Sequence, residues 1–347
     1  MSRASHVPDS LPPADLDAYL NRGWYRIGPR LFTSRYQWSG GVLRSTVWTR
    51  SRLDGHRFGP NARHLLRRND ALLRTELRPA SPDAEREAIY QRYVPWAGPG
   101  RSKSLTEFLL GDAGALNVFD TWELSFFLGD RLVAFSWFDR GLDSLQSLIG
   151  VFEPEFEHLS LGRYSLLSEV RLASQQGRSF HYSGYVLPGD PAMDYKLSGG
   201  NIEFLDDRDL SWHPWAQFVA AEAPLERLRH RIAQAVRLLT THGIVSRTVD
   251  NLAFDIPHFH PPLAHCVTEP IIATVKTRSG GIDLVILAPE GQGYSVIVGH
   301  RGAVILDLDG SEESRTLPIW GAGDVLGQGL QLTALPGLIV KTRTSVP

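Results

Sequence analysis

Several groups of residues in this chain have the types and spacing that chemistry needs. Asp139 closes the apolar run Leu132–Phe138. A carboxylate emerging from such a run is partly desolvated, which raises its basicity and suits it to take up or orient a proton. Ser160-Leu161-Gly162-Arg163 precedes Leu166, Leu167, Val170 and Ala173 at helical spacing, so Ser160 is the expected N-cap. The amides of Leu161, Gly162 and Arg163 are then free to meet an anion at the positive end of the helix dipole, an ordinary capped helix being the plain alternative. Glu169 lies within that helix as a second acid–base group or, more simply, a surface salt-bridge partner. Arg63, Arg67 and Arg68 form a compact cationic cluster whose forks suit phosphates or a carboxylate, the alternative being a solvated basic face. His258, His260, His265 and Cys266 crowd together, but their spacing fits no zinc module and no metal is assigned.

These residues need elements to position them. Leu124–Leu128 and Leu132–Phe138 flank the turn Gly129-Asp130, a strong hairpin signal. Leu145–Phe152 reads as a third strand, the helix after Ser160 ends at Gly177, and Phe180–Leu187 reads as a further strand. Hairpin, strand, glycine-containing turn, helix, strand is the order of a GNAT-like acyltransferase core.

Outside this stretch, residues 1–13 read as a flexible or loosely docked arm. Residues 14–103 form a basic α+β region with a helix at Ala14–Leu20, a hairpin or small meander around Gly40-Gly41, and a helix at Ser81–Arg92 capped by Ser81. The Gly/Pro-rich stretch Trp96–Lys103 is an expected hinge or lid, and Leu105–Leu110 a short helix. Residues 104–220 are the expected core and 221–262 an amphipathic helix and linker. Leu225, Leu228, Ile232, Val236 and Leu239 form the apolar stripe of that helix, opposite a basic face. Residues 263–347 read as a C-terminal all-β appendage of about six strands. The fold class is therefore α+β, with a mixed, mostly antiparallel sheet at its centre.

Composition bounds the function. The chain has 347 residues, 42% hydrophobic and 21% charged, with a formal net charge of −2. That is an ordinary globular composition, so any nucleic-acid contact must come from a local patch. One cysteine, Cys266, excludes an intramolecular disulfide framework and fits a reducing compartment. No apolar run approaches the ~20 residues of a membrane span. The expectation is a cytoplasmic protein without membrane partners.

Three motifs sharpen the fold reading: the strand Gly129–Asp139, the S-L-G-R-Y-S-L-L-S-E-V helix of Ser160–Val170, and the loop Tyr185–Lys196 ending M-D-Y-K. In this order they resemble the C-terminal half of the aminoacyl-tRNA–protein transferases, the arginyl- and leucyl-transferases of the N-degron pathway. The resemblance covers roughly residues 122–204, with a fainter echo in the basic R-x-x-x-R-R-N element at Arg63–Asn69. It implies charged tRNA as co-substrate, no cofactor, and a protein or peptide acceptor with a free N-terminus. The Ser160–Arg163 turn would sit beside the acceptor end of the tRNA. Asp139 would serve the attacking amine and Glu169 would be a second acid–base group. Tyr195 would donate to the oxyanion or stack on the terminal adenine, and Lys196 would hold a phosphate or carboxylate. Arg26, Arg67 and Arg68 would meet an acidic N-terminal side chain. The cysteines that carry an iron–sulfur centre in some family members are missing, which excludes that cluster here. Two alternatives stay open on the same fold: an acyl-CoA-dependent N-acyltransferase, and a degenerate homologue that only binds tRNA or peptide.

Overall fold

The computed structural model describes residues 3–98, 101–111, 116–256, 261–277, 282–307 and 314–343. The chain folds as two compact units: Ser5–Thr33 with Thr46–Phe218, and Met1–Ala4 with Ser34–Ser45 and Val219–Pro347. This division differs from the expected one. The regions read as 14–103 and 104–220 share one sheet, and the hairpin Tyr36–Ser39/Val42–Ser45 belongs with the C-terminal unit.

The first unit contains, in chain order, α1 (Pro13–Asn21), β1 (Tyr25–Ile27), β2 (Val47–Arg52), α2 (Pro60–Asp70), β3 (Arg74–Pro79), α3 (Ala84–Ala97), α4 (Leu105–Leu110), β4 (Thr121–Leu128), β5 (Arg131–Arg140), β6 (Ser144–Phe152), α5 (Leu161–Gln175), β7 (Phe180–Val186), β8 (Ile202–Asp206) and β9 (Ser211–Pro214). Eight strands form one sheet in the order β9-β8-β2-β7-β6-β5-β4-β3. All neighbours are antiparallel except β6 and β7. The β4–β5 hairpin turns at Gly129, whose φ of +62° is the left-handed conformation such a turn requires.

The parallel pair is the distinctive feature. β6 and β7 are paired only over Ser144↔Phe180, Leu145↔His181 and Gln146↔Tyr182. Beyond that point β6 continues along β5 as far as Phe152, and β7 continues along β2 as far as Val186. Each strand also has an irregularity there, between Ser147 and Ile149 and between Tyr182 and Gly184. The extra residue bends each strand, so the two diverge and open a gap. Tyr25 of β1 enters it, its hydroxyl donating to the Ser147 carbonyl. Gly184, at φ +89°, leaves room for that ring: a β-carbon there would lie 3.1 Å from Tyr25 Cε2.

α5 packs its apolar stripe on the sheet, with Leu167, Val170 and Ala173 fully buried. Ser160 occupies the N-cap position, but its side chain makes no capping bond, because a 3₁₀ turn over Pro154–Leu159 runs directly into the helix. The junction places Ser160 at φ +54°, and its amide donates back to the Glu157 carbonyl at 2.8 Å. α3 is capped by Asp83 rather than Ser81, its carboxylate accepting from the Arg86 amide, and it extends past Arg92 to Ala97. Asp caps as well as Ser, and from position 83 the first turn also brings Arg86 onto Glu123. The arm is docked rather than free: residues 3–6 form a strand, and His6 Nε2 lies 3.0 Å from the Tyr19 hydroxyl.

The second unit is not all-β. A helix, α6 (Pro224–Thr241), packs Leu225, Leu228, Ile232 and Leu239 against an antiparallel meander. Its five strands run in order: β10 (Arg247–Asp250), β11 (Ile271–Lys276), β12 (Ile282–Leu287), β13 (Tyr294–Asp307) and β14 (Ser314–Leu330). A final helix, α7 (Leu335–Arg343), adds Leu335 and Ile339 to the same core, which also takes in Tyr36 and Leu43. The helix read as a linker is thus an integral layer. Its basic face is largely tied down locally: Arg227 pairs with Glu290, Arg229 with Glu226, and Arg231 donates to the Gly293 carbonyl. Among the described residues no helix is long and apolar enough to cross a membrane.

Candidate active site

Glu169 and the adjacent pair Tyr195 and Lys196, distant from it in sequence, come together around the gap between β6 and β7. Glu169 projects from α5 into the sheet and is fully buried, not a surface residue. Its Oε1 accepts from the Ser136 hydroxyl, and its Oε2 lies 2.9 Å from His181 Nε2. Tyr195 and Lys196 sit on the 3₁₀ segment Pro191–Gly199, which packs on α5, β7 and β8. Tyr195 as a residue is 41% exposed, while its phenol group is the part withdrawn from solvent. Burial first, then Tyr93 and Glu169, push its pKa up to about 12 against the pull of Arg101, so it stays a donor at neutral pH. Lys196 Nζ donates to the Tyr185 carbonyl at 3.1 Å and lies 5.2 Å from the Tyr185 ring centre. Burial, with the Arg101 charge nearby, brings its pKa down to about 8. Tyr25 is raised well above its ordinary value, chiefly by burial and then by Glu169.

The remaining wall comes from α3. Tyr93 and Trp96 pack on Phe152 at the end of β6, with ring centres 5.3 and 4.8 Å away. Trp96 is 48% exposed and held by a 3.0 Å bond from Nε1 to Glu157. The Phe152 ring in turn lies against Gly162 at the first turn of α5. α3 is fixed to the sheet by Arg86, whose Nη2 donates to Glu123 at 2.6 Å.

The other sequence-selected residues fall elsewhere. Arg26 and Asp139 satisfy each other. Arg26 Nη1 lies 2.8 and 3.1 Å from the two Asp139 oxygens, and Thr121 Oγ1 donates to Asp139 at 2.6 Å. Arg26 also donates to the carbonyls of Gly28 and Leu109 and to Asn117, and its guanidinium lies 3.9 Å from the centre of the Phe119 ring. Asp139 is fully buried and Arg26 is 3% exposed, so neither side chain faces open surface. Burial raises the Asp139 pKa, while Arg26 and Thr121 oppose the rise. Arg67 is exposed on α2 and lines a depression with Pro60, Arg63, Leu66, Asp70 and Arg171. In that depression Asp70 is already engaged by Arg171 and Tyr164. Arg68 Nη2 and Asn69 Nδ2 both donate, at 2.8 Å, to the Leu159 carbonyl, which fixes the entry into α5. Arg163 sits in the first turn of α5, its Nε buried without a hydrogen-bond partner.

Sequence reasoning missed Tyr25, Tyr93, Trp96, Arg101 and His181. The only signal for Arg101 was its place in the glycine-rich stretch after α3. Of the histidine–cysteine group, His258 and His260 lie outside the described residues, and Cys266 is buried in an apolar cluster with Ala253, Ile256 and Ile319. The turn between β8 and β9 gathers Asp206, Asp209 and His213 within 4.8 Å, but Arg208 and Ser211 already engage these carboxylates.

Comparison with known proteins matches residues 85–206, roughly a third of the chain, to the family described as arginine-tRNA-protein transferase, C terminus. The chain is 27% identical over 195 residues to an aspartate/glutamate leucyltransferase of Leptospira interrogans, covering 54% of this chain and 73% of that one. It is 28% identical over 208 residues to the Pseudomonas putida protein of the same name, covering 57% and 83%. Among solved structures, the C-terminal domain of a putative lysylphosphatidylglycerol synthetase from Agrobacterium fabrum aligns at 13% identity, with a TM-score of 0.34 over 41% of this chain and 47% of that one. The matched span contains Tyr93, Arg101, Glu169, Tyr195 and Lys196 but neither Arg26 nor the α2 arginines. Residues 85–206 are thus similar to the C-terminal part of the arginine-tRNA-protein transferases, and a longer span of the chain is similar to the aspartate/glutamate leucyltransferases.

Proposed function

We propose that this protein transfers leucine or arginine from charged tRNA to the α-amine of a protein or peptide acceptor whose first residue is acidic. The carrying observation is the convergence of Tyr195 and Lys196, over buried Glu169, at the gap between β6 and β7. A sheet whose parallel strands part beside a helix N-terminus is the frame of a GNAT-like acyltransferase core. That likeness supports the reading, because the gap exposes backbone and free amides where an acyl group can lie.

The chemistry asked of the protein is modest. The aminoacyl ester is already activated, and an α-amine of pKa ~7.7–8.0 is partly neutral at physiological pH. The amine nitrogen attacks the ester carbonyl, a C–N bond forms, the C–O bond to the ribose breaks, and the amine proton passes to the departing ribose oxygen. The protein must hold the two substrates together and stabilise the oxyanion. Tyr195, protonated at neutral pH, is the donor placed for the oxyanion. The first turn of α5 faces the acceptor end of the tRNA. Trp96, exposed and rigidly held, offers its face to a terminal base. Asp139 acts at a distance, holding β5 to Arg26, and not as the base.

A transfer assay tests this reading. The protein is incubated with a pool of charged tRNAs and peptides beginning with Glu, Asp or Gln, and the products are weighed by mass spectrometry. An RNase-sensitive one-residue extension, reduced in Tyr195→Phe, is the expected result. Acyl transfer from acetyl-CoA without tRNA-dependent extension would overturn it.

A further inference from the structure

Tyr195 and Lys196 both ride on the 3₁₀ segment Pro191–Gly199, so whatever fixes that segment fixes the site. Nine residues of such geometry do not hold themselves, because 3₁₀ runs beyond three or four residues are uncommon and their last carbonyls find no partner inside the turn. The N-terminal end is closed locally, the Asp190 carboxylate accepting from the Ala192 amide at 3.2 Å. The C-terminal end is closed from far away in the chain: His56 Nε2 lies 2.5 Å from the Gly199 carbonyl oxygen. A carbonyl only accepts, so the imidazole carries its proton on Nε2 and donates.

The surroundings suit this contact. The turn that brings His56 into place is closed by its own amide on the Leu53 carbonyl at 3.1 Å, and the Leu53 amide donates to the Ser179 carbonyl at 2.8 Å, just before β7. Phe58 stands edge-on to the imidazole, with ring centres 4.6 Å apart. On the opposite side Gly200 makes room. At φ +81°, a β-carbon there would lie 2.8 Å from His56 Nε2 and 3.1 Å from the Arg57 carbonyl oxygen.

We infer that His56 is a positioning residue for the proposed transfer: through its bond to the Gly199 carbonyl it holds Tyr195 and Lys196 beside the gap between β6 and β7. That role rests on the proposed function for what those two side chains do. His56 acts through the segment and not on the reacting atoms, and it lies outside the family-matched residues 85–206. Lys196 precedes Gly199 by one 3₁₀ turn, so a shift of the Gly199 carbonyl is carried directly to the ammonium and the phenol.

The measurement is steady-state transfer by wild type, His56→Leu and His56→Gln. kcat and KM are separated for peptide and for charged tRNA, rates are expressed per folded molecule, and thermal unfolding is recorded beside them. Leucine keeps the bulk without the donor, and glutamine returns an N–H at about the reach of Nε2. His56→Leu should lower kcat by roughly 10- to 100-fold, the loss that misplaced groups bring, with both KM values within about threefold of wild type. His56→Gln should recover most of that kcat. A purely structural role predicts instead that both variants melt earlier and keep the wild-type kcat per folded molecule. That result would overturn the assignment, as would a His56→Gln no better than His56→Leu. Hydrogen exchange at the amides of residues 192–200 reads the segment without any chemistry. If wild type extends no peptide, the transfer reading fails by itself. Faster exchange in His56→Leu, restored in His56→Gln, then still supports the latch, and exchange unchanged in His56→Leu refutes it.

Discussion

Replacing Asp139 by alanine separates two accounts of the residue that sequence alone could not. If Asp139 serves the amine, the substitution removes activity and leaves the fold untouched. The structure gives the opposite order. Arg26 Nη1 contacts both carboxylate oxygens, and the two side chains are 3% and 0% exposed. Removing the carboxylate leaves a guanidinium buried without its counter-ion, which typically costs ~3–5 kcal/mol. Arg26 keeps its bonds to Gly28, Leu109, Asn117 and Thr121, so the lower end, about 3 kcal/mol, applies. For a unit of roughly 200 residues, 1 kcal/mol moves Tm by ~2–4 °C, which gives a fall of about 6–12 °C. The paired replacement Arg26→Met with Asp139→Leu exchanges the ion pair for apolar volume and should recover at least half of the loss, since such swaps are often neutral. Thermal and urea unfolding read the stability, and transfer per folded molecule, measured well below the lowered Tm, reads the chemistry. Asp139→Ala with wild-type Tm and a transfer rate down a hundredfold would refute the reasoning and return Asp139 to the reacting atoms.

Other consequences follow from the same geometry. Because burial and Arg101 bring Lys196 down to about 8, its charge is present below that pH and lost above it. An anion held by the Lys196 ammonium should therefore bind more weakly as pH rises through about 8, and Lys196→Arg should carry the binding to higher pH. The sign for stability is opposite. Between about 8 and the ordinary 10.5 the unfolded chain binds more protons at this lysine, so its contribution to stability rises with pH, which pH-dependent urea midpoints would show. Arg68→Ala with Asn69→Ala strips both donors from the Leu159 carbonyl. It should cost ~1–3 kcal/mol, read in urea unfolding, and weaken charged-tRNA binding. Gly184→Ala puts a side chain at φ +89° and 3.1 Å from the Tyr25 ring, and should lower stability by ~1–3 kcal/mol in chemical denaturation.

What the sequence disclosed and what it hid divide along the range of the interactions. The β4–β5 hairpin, β6, α5 and β7 are written in local signals: a Gly-Asp turn, β-rich runs, a helical stripe. The structure has them within a few residues of the expected bounds. Tyr195 and Lys196 are neighbours in sequence, so one short 3₁₀ segment carries both. The partners of Asp139 were not legible, because an apolar run announces burial without saying what covers each face. β5 is buried on nearly every residue, so no polar alternation marks its two sides. Strand parity offered a clue, since Ser136, which meets Glu169 of α5, and Asp139 lie three residues apart and so face opposite sides of the sheet. The partner of Asp139 stands 113 residues earlier, on a three-residue strand with no periodicity to read. The same holds for β2, which pairs with β7 and β8 from across the chain, and for Arg101. A charge in a glycine-rich loop looks solvated until Tyr90 and Gln91 are seen to pin the backbone beside it. Residues whose roles depend on which distant segment arrives next to them are the ones local pattern cannot assign. In this molecule Arg26 is the clearest case: its place in the core is set by Asp139, Thr121, Asn117 and Phe119, all of them more than 80 residues away in sequence.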